Sequence, residues 1–369
     1  MRPYFSEEFG NASSIHSFGQ HARGAVEQAR ISVAELLGAR PAEVTFSSGG
    51  TESNNHAIFG AVAAASGGAK HVITSAIEHS AVLDVCKALE NRGIAITFLP
   101  VDHEGLVNPE DVRQAIRPET VLITIMLANN ELGTLEPIAE IGKIAAHAGV
   151  TLHTDAVQAA GKVPIEVTEL GVHLLSISAH KFYGPKGVGA LYVRKGTRIE
   201  PLMYGGHSER DHRPGTEDVA AIAGMACAAD MAALSMKEES KRLSALRDRL
   251  ESGLLARIPF ARVNGSLAHR TPNTTNITLP FVEGESMVIA LDLKGIACST
   301  GAACSSGAME PSHVLTAIGL SPEDARATLR LSLGHQTTGE EIDFALHTIP
   351  AVIDRLRQMS PTYKKPINA

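Results

Sequence analysis

The first two-thirds of the chain alternate short apolar, β-branched runs with stretches whose apolar residues recur at helical spacing, and this alternation constrains the fold most. "EVTF", "HVITSA", "AITFLPV", "VLITIML", "VTLHTDA" and "HLLSISA" read as strands. "AVEQARISVAELLG" sets Val26, Ala29, Val33 and Leu37 on one helical face, and Val82, Val85 and Leu89 do the same after "HVITSA". Such a β/α succession predicts an α/β fold: a mainly parallel sheet flanked by helices on both faces. From about Glu217 an Ala-rich helical pattern runs to about Arg257, and its charged second half, "KEESKRLSALRDRLESG", reads as a crossing between domains. Beyond it the grammar changes. "NTTNITLP" and "TLRLSLG" read as strands of a smaller sheet, "SMVIALDLKG" and "IDFALHTIPAVIDRLRQM" as helices upon it, the last opened by a Thr338/Glu341 capping box. The expectation is a large domain over 1–240 and a smaller α+β C-terminal domain over 241–369.

Charge and cysteine usage narrow the chemistry. A net charge of −7 without a basic block argues against nucleic acid as a partner. No apolar run of about eighteen residues is free of charges, so no membrane partner is expected. "MRPYFSEEFGNASS" has no apolar core of signal-peptide type. Cys86, Cys227, Cys298 and Cys304 include no CxxC pair, which speaks against a metal site and for a reducing, cytoplasmic setting.

Three features fall at predicted strand ends. "SSGGTESNN" puts Gly50 and Thr51 at a helix start, where free amides and the helix dipole suit a phosphate. "HTDAVQ" closes a strand with Asp155, followed by Gln158; alone, Asp155 reads equally as a helix cap or turn residue. "SISAHKFYGPKG" places Lys181 just after a buried-looking strand, beside Ser178 and His180. A lone lysine there would be an exposed loop residue. Lysine, acid and phosphate turn together match the needs of pyridoxal phosphate: a lysine for its aldehyde, a carboxylate for its ring nitrogen and donors for its phosphate.

"GGTESNN", "EHSAV", "ANNELGT", "HTDAVQAAGK", "SAHKFYGPKG", "RPGTED", "STGAACSSG", "EPSHVL" and "TLRLSLG" follow one another in the order found in cysteine desulfurases of the NifS/IscS type. The chain resembles that family over nearly its whole length. The resemblance implies a fold-type I pyridoxal 5'-phosphate-dependent transferase of the class V aminotransferase family. It implies that Lys181 binds the cofactor covalently, that Asp155 pairs with the pyridine nitrogen and that Gln158 bonds the ring hydroxyl. His79 would stack on the ring and assist proton transfer, and Asn130 would touch the cofactor. Gly50, Thr51, Ser178 and His180 would hold the phosphate, with Thr216 reaching the phosphate of the other subunit of a homodimer. Arg330 would clamp the carboxylate of the substrate, L-cysteine. Read without the resemblance, His79 is a helix cap, Asn130 a turn residue and Arg330 a surface ion-pair partner.

Cys304 has only Ser, Ala, Gly and Thr around it, too small a setting to bury a thiol. The resemblance makes it the sulfur acceptor, carrying a persulfide to an iron–sulfur scaffold or another acceptor protein, and its Ser/Gly-rich flanks match the long-loop branch. Cys86, on the face of Val82, Val85 and Leu89, reads as core; Cys227 and Cys298 read as structural. The family's usual opening strand, with an Asp-Asn-Asn-Ala-Thr-Thr-like motif, has no counterpart here, and a chain without it is expected to have a weaker small domain and reduced activity. Other class V activities, such as selenocysteine lyase or aminotransferase, and a non-catalytic scaffold role are the alternatives. Cys304 argues against the aminotransferase, and Lys181, Asp155 and Cys304 together argue against the scaffold.

Overall fold

The computed structural model describes residues 1–300, 311–361 and 363. They form two compact units. The larger comprises Met1–Pro100, Val107–Ala128 and Glu136–Lys237; the second comprises Val101–Leu106, Asn129–Leu135 and Glu238–Ala369. Two short segments within the first 240 residues, one of them carrying Asn130, thus belong to the second unit.

The larger unit is built on strands β1 (Val44–Ser47), β2 (His71–Ser75), β3 (Ala95–Leu99), β4 (Thr120–Thr124), β5 (Thr151–Asp155), β6 (Leu174–Ser178) and β7 (Gly189–Val193), in the order β1-β7-β6-β5-β4-β2-β3. β3, β2, β4, β5 and β6 run parallel, while β7 pairs antiparallel with both β6 and β1. β2, β6 and β7 are buried along their whole length, which accounts for their unbroken apolar character. Helices Ser17–Leu37, Gly50–Ala64, Ser80–Glu90 and Ile138–Ala148 lie where apolar periodicity is found in the sequence. Val26, Ala29, Val33 and Leu37 are buried, as are Val82, Val85, Cys86 and Leu89. Strand order reverses direction between β2 and β4, and the carboxyl ends of strands at such a switch are where open α/β sheets receive ligands.

β1 is an edge strand whose unpaired groups need partners. Arg30 supplies one by donating to the Val44 carbonyl (2.8 Å), and Glu209 supplies another by accepting the Phe46 N–H (2.7 Å). The two side chains also pair with each other through two hydrogen bonds, at 2.7 and 2.8 Å. Both are almost fully buried, so removing one partner would strand the other charge, at a cost of about 3–5 kcal/mol.

The second unit carries a four-stranded antiparallel sheet of β8 (Arg262–Asn264), β9 (Thr274–Thr278), β10 (Ser299–Thr300) and β11 (Thr328–Ser332), in the order β10-β11-β9-β8. Ile277, Leu329 and Leu331 pack into a core with Leu254, Met287, Leu346 and Ile353 from helices Val219–Arg257, Gly284–Asp292 and Gly339–Met359. Asn264, Asn276, Arg330 and Ser299 stand opposite one another across the four strands, one polar row in register. The last helix opens with the capping box: Thr338 Oγ1 accepts the Glu341 N–H, and Glu341 accepts the Thr338 N–H. The helix Val219–Arg257 has the length and composition of a bilayer-crossing helix; 44% of its apolar window is buried inside the protein, and core helices pass the same test.

Candidate active site

The ends of four strands of the larger unit, β1, β2, β5 and β6, carry the candidate residues. At the end of β1 the chain turns through Gly49 into the helix Gly50–Ala64, whose first-turn amides have no partners within the helix. A Cβ at Gly50 would lie 2.6 Å from Val157 Cγ2, so only glycine lets this helix start come so close to the turn after β5. One turn further along, buried Asn54 donates to Asp155 Oδ2 at 2.6 Å, and the Val157 N–H donates to Oδ1 at 2.9 Å.

Burial raises the pKa of Asp155, opposed by the Val157 N–H, Asn54 and the nearby charge of Lys181. This carboxylate is therefore suited to a cationic partner brought in by a ligand. His153 lies two residues earlier, on the same face of β5. Its Nδ1 is 2.8 Å from Thr124 Oγ1 and its Nε2 3.0 Å from Ser176 Oγ, and burial lowers its pKa to about 3, so it is a neutral filler.

His79 follows β2 and caps the helix Ser80–Glu90: its Nδ1 accepts the Ala81 N–H at 3.1 Å. That leaves Nε2 to carry the proton of the neutral ring. A cavity of about 290 Å³ is lined by Thr51, Asn55, His79, Ser80 and Asp84, among others. Preceding His79, Glu78 is fully buried and accepts from Ser75 Oγ (2.6 Å) and the Met126 N–H (2.9 Å). Burial lifts its pKa to about 8, helped by the charges of Asp155 and Glu136.

β6 ends at buried Ser178, and Lys181 follows in a short 3-10 turn, Ala179–Phe182. Gly184 closes that turn, donating its N–H to the Ala179 carbonyl at 2.9 Å; a Cβ there would sit 2.8 Å from Ala179 Cβ. Ser178 Oγ and His180 Nδ1 are 2.9 Å apart. Partial burial lowers the His180 pKa, and so do the charges of Lys181, Lys186 and Lys162, a cationic neighbourhood fit for a phosphate. The Gln158 side chain accepts from Lys162 Nζ at 2.9 Å. Thr216 is exposed, just after Gly215 and ahead of the long helix.

The second unit holds the other two described site residues. Arg330 Nη1 donates to the Asn130 carbonyl at 3.0 Å. Next to Asn130, Glu131 is buried and accepts Ser312 Oγ at 2.6 Å. Burial raises the Glu131 pKa to about 7, against the hydrogen bond from Ser312 and the charge of Arg330. Cys304 lies outside the described residues. Of the other cysteines, Cys86 is buried, its pKa pushed up to about 12 by that burial, and Cys298 is half-buried against the second unit's core, pushed up to about 11. Cys227 departs from the structural expectation: it is exposed, although Met225 and Ala228 on the same turn of the long helix are buried.

Motif reading alone does not single out Asn54, Glu78, Glu131 or Ser312. All four stand inside the recurring motifs: Asn54 four residues after Gly50, one helical turn on, Glu78 beside His79, Glu131 in "ANNELGT" and Ser312 in "EPSHVL". Helical spacing was thus an available signal for Asn54. Nothing in the sequence pairs Glu131 with Ser312.

A lysine after β6, a buried carboxylate at the end of β5 and a glycine-tight helix start after β1 are the features that a fold-type I pyridoxal phosphate site requires. The family described as Aminotransferase class-V matches residues 1–344. A cysteine desulfurase IscS of Dictyoglomus turgidum (strain DSM 6724 / Z-1310) is 52% identical over 365 residues, covering 99% of this chain and 92% of the relative. Among solved structures, a NifS-like protein superposes with a TM-score of 0.90 at 36% identity, covering 96% of this chain and 94% of the other. SspA in complex with cysteine gives a TM-score of 0.79 at 38% identity, over 90% and 93%. The chain belongs to the class V aminotransferase family, on its NifS/IscS-type cysteine desulfurase branch.

That family uses pyridoxal phosphate, and the residues present suit it. Asp155 is a buried acid that a protonated ring nitrogen would satisfy, the helix start at Gly50 offers amides with no partners within the helix, and the charges of Lys181, Lys186 and Lys162 act on His180.

Proposed function

We propose that this enzyme takes sulfur from L-cysteine, releases L-alanine and holds the sulfur as a persulfide on Cys304 for an acceptor protein such as an iron–sulfur scaffold. The supporting observation is the buried Asp155 within the charge field of Lys181, at the ends of the neighbouring strands β5 and β6. Pyridoxal phosphate, when bound, supplies an electron sink that loosens the substrate Cα–H bond and opens the substrate sulfur to nucleophiles.

The chain's residues divide the remaining work. Lys181 Nζ would hold the cofactor aldehyde and move the Cα proton. Asp155 would keep the ring nitrogen protonated, and Gln158 would bond the ring hydroxyl. His79 would stack on the ring and assist proton transfer through Nε2, and Asn130 would touch the cofactor. The amides of Gly50 and Thr51, with Ser178 and His180, bind the phosphate. Thr216 reaches the phosphate of a second copy, so the active unit is a homodimer. Arg330 binds the substrate carboxylate, a task matched to the planar guanidinium fork. Cys304 Sγ attacks the substrate sulfur: an S–S bond forms, the substrate Cβ–S bond breaks, and alanine leaves after protonation at Cβ.

The test is incubation of the purified, cofactor-loaded protein with L-cysteine. Alanine should appear in step with one added sulfur on the peptide containing Cys304, read by mass spectrometry. Alanine without that sulfur, or sulfur on Cys298, overturns the Cys304 assignment. Sedimentation of a fully active monomer overturns the role of Thr216.

A further inference from the structure

β2 and β4 run as neighbours as far as Thr74 and Thr124, and then they part. Beyond that point β2 stays with β3, the Ala76 N–H donating to the Leu99 carbonyl at 2.9 Å, before the chain turns through Glu78 and His79 into the helix Ser80–Glu90. β4 stays with β5 instead. The Ile125 N–H donates to the His153 carbonyl at 3.2 Å, and the Leu127 N–H to the Asp155 carbonyl at 2.9 Å. Successive N–H groups of a strand point to opposite sides, so Met126, between those two, aims its N–H at the place β2 has left. Glu78 Oε1 accepts that N–H at 2.9 Å, and it also accepts Ser75 Oγ, at the end of β2, at 2.6 Å. One carboxyl oxygen thus bridges the gap between the parted strands.

His79 stands on one side of this bridge and Asp155 on the other. His79 is the residue after Glu78, and its ring caps the helix that follows. Asp155 is one residue removed from the other end: Leu127, next to Met126, bonds its carbonyl. Glu78 itself is fully buried, so it touches neither substrate nor cofactor. Its pKa of about 8 leaves the carboxyl mostly protonated at neutral pH, and the bridge adds no full negative charge beside Asp155. The Met126 N–H and the Ser75 hydroxyl are buried where a lost acceptor is expensive.

We propose that Glu78 is a positioning residue: by bridging the parted ends of β2 and β4, it sets the spacing between His79 and Asp155, the side chains that would meet the face and the nitrogen of the cofactor ring. The inference deepens the functional reading above and rests on the roles given there to those two residues. A misplacement of an ångström in such a spacing is enough to cost about a hundredfold in rate.

The experiment compares the full-length wild type with Glu78→Gln, Glu78→Asp and Glu78→Met, and with Leu89→Ala, a core substitution in the helix that His79 caps. Four readouts are taken: the dissociation constant for pyridoxal phosphate, the induced circular dichroism of the bound cofactor, the melting temperature, and kcat for alanine formation from L-cysteine. Glu78→Met removes the acceptor, so the dissociation constant should rise about tenfold, the dichroism should weaken, and kcat should fall about tenfold to a hundredfold. Glu78→Asp keeps the acid but shortens the bridge, and should move the same readouts the same way by about threefold. Glu78→Gln, whose Oε1 still accepts from Ser75 and Met126, should match the wild type in affinity and dichroism. Leu89→Ala should lower the melting temperature alone, which separates loss of stability from loss of position. In a His79→Ala background, Glu78→Met should weaken cofactor binding by less than about threefold more, because its effect passes through His79. If Glu78→Met does not fold, Glu78→Asp and its combination with His79→Ala decide. The inference is overturned if the Met and Asp variants only melt earlier, if the Gln variant is as impaired as the Met variant, or if the Glu78 and His79 losses simply add. A wild-type protein that binds no pyridoxal phosphate would sink the functional reading itself, and this inference with it.

Discussion

The cofactor side of the larger unit and the Arg330 side of the second unit reach order by different routes. In the larger unit the key groups hang on strand ends and take most of their hydrogen bonds from close neighbours in sequence, the Asn54 amide on Asp155, 101 residues away, being the exception. Asp155 takes the amide of Val157, His79 the amide of Ala81, and Ser178 pairs with His180, each a separation of two residues. In the second unit, Arg330 meets a carbonyl 200 residues away, and Glu131 meets a hydroxyl 181 residues away. A strand end with its turn is close to a local device and survives wherever the β/α unit folds. A frame of long-range hydrogen bonds exists only after the sheet of the second unit has set its register. The first kind of site tolerates changes outside its own loop; the second transmits them.

Lys181→Ala tests the local device and carries the largest expected effect. Reduction with borohydride should no longer leave cofactor on the Lys181 peptide, and turnover should fall by about a thousandfold or more. Label found on Lys186 instead would break the assignment.

Cys304→Ala comes next and separates the two regions. Turnover with L-cysteine should collapse to a similar degree, yet cofactor binding and its absorption response to substrate should persist, since those depend on Lys181, Asp155 and Arg330 and not on the thiol. Cys298→Ala serves as control: burial pushes that thiol to about 11, so little thiolate exists at neutral pH and the persulfide should form normally.

Arg330→Lys probes the long-range frame with charge conserved. A point charge cannot reproduce a fork bonded to both a carbonyl and a substrate carboxylate, so KM for L-cysteine should rise by about tenfold, with a smaller change in kcat. An unchanged KM would remove the clamp from this residue.

The smallest effect concerns stability and returns to the larger unit. Burial lifts Glu78 from 4.5 to about 8. The folded state thus binds this proton more tightly than the unfolded chain. The stability it contributes is complete below about pH 4.5 and is lost as pH rises through about 8. Glu78→Gln stays neutral throughout, so its melting temperature should gain on the wild type between pH 5 and 8, by a shift corresponding to ~1 kcal/mol or more. Parallel melting curves across that range would mean Glu78 is not held protonated.

Much of this was written along the chain. Six apolar runs became β1 to β6, and the Ala-rich pattern became the helix Val219–Arg257. The Thr338/Glu341 box formed because its donors and acceptors lie three residues apart. β7 was not legible as an antiparallel insertion, since "GALYV" is as apolar as its parallel neighbours and strand direction leaves no trace in composition. Cys227 misled for a related reason: an Ala-rich helix offers little contrast between its faces, so exposure there is set by what packs against it.

By itself, then, the sequence determined the β/α order, the caps and turns, and the residue types at each strand end, because periodicity and hydrogen bonds over a few residues are short-range properties. Only the tertiary structure decided that Asn54 would hold Asp155, that Glu78 would be a buried acid, that Asn130 would belong to the second unit, and that Glu131 would find Ser312. Those pairings depend on strand register and on which side chains lose water together, and neither is encoded at any single point along the chain.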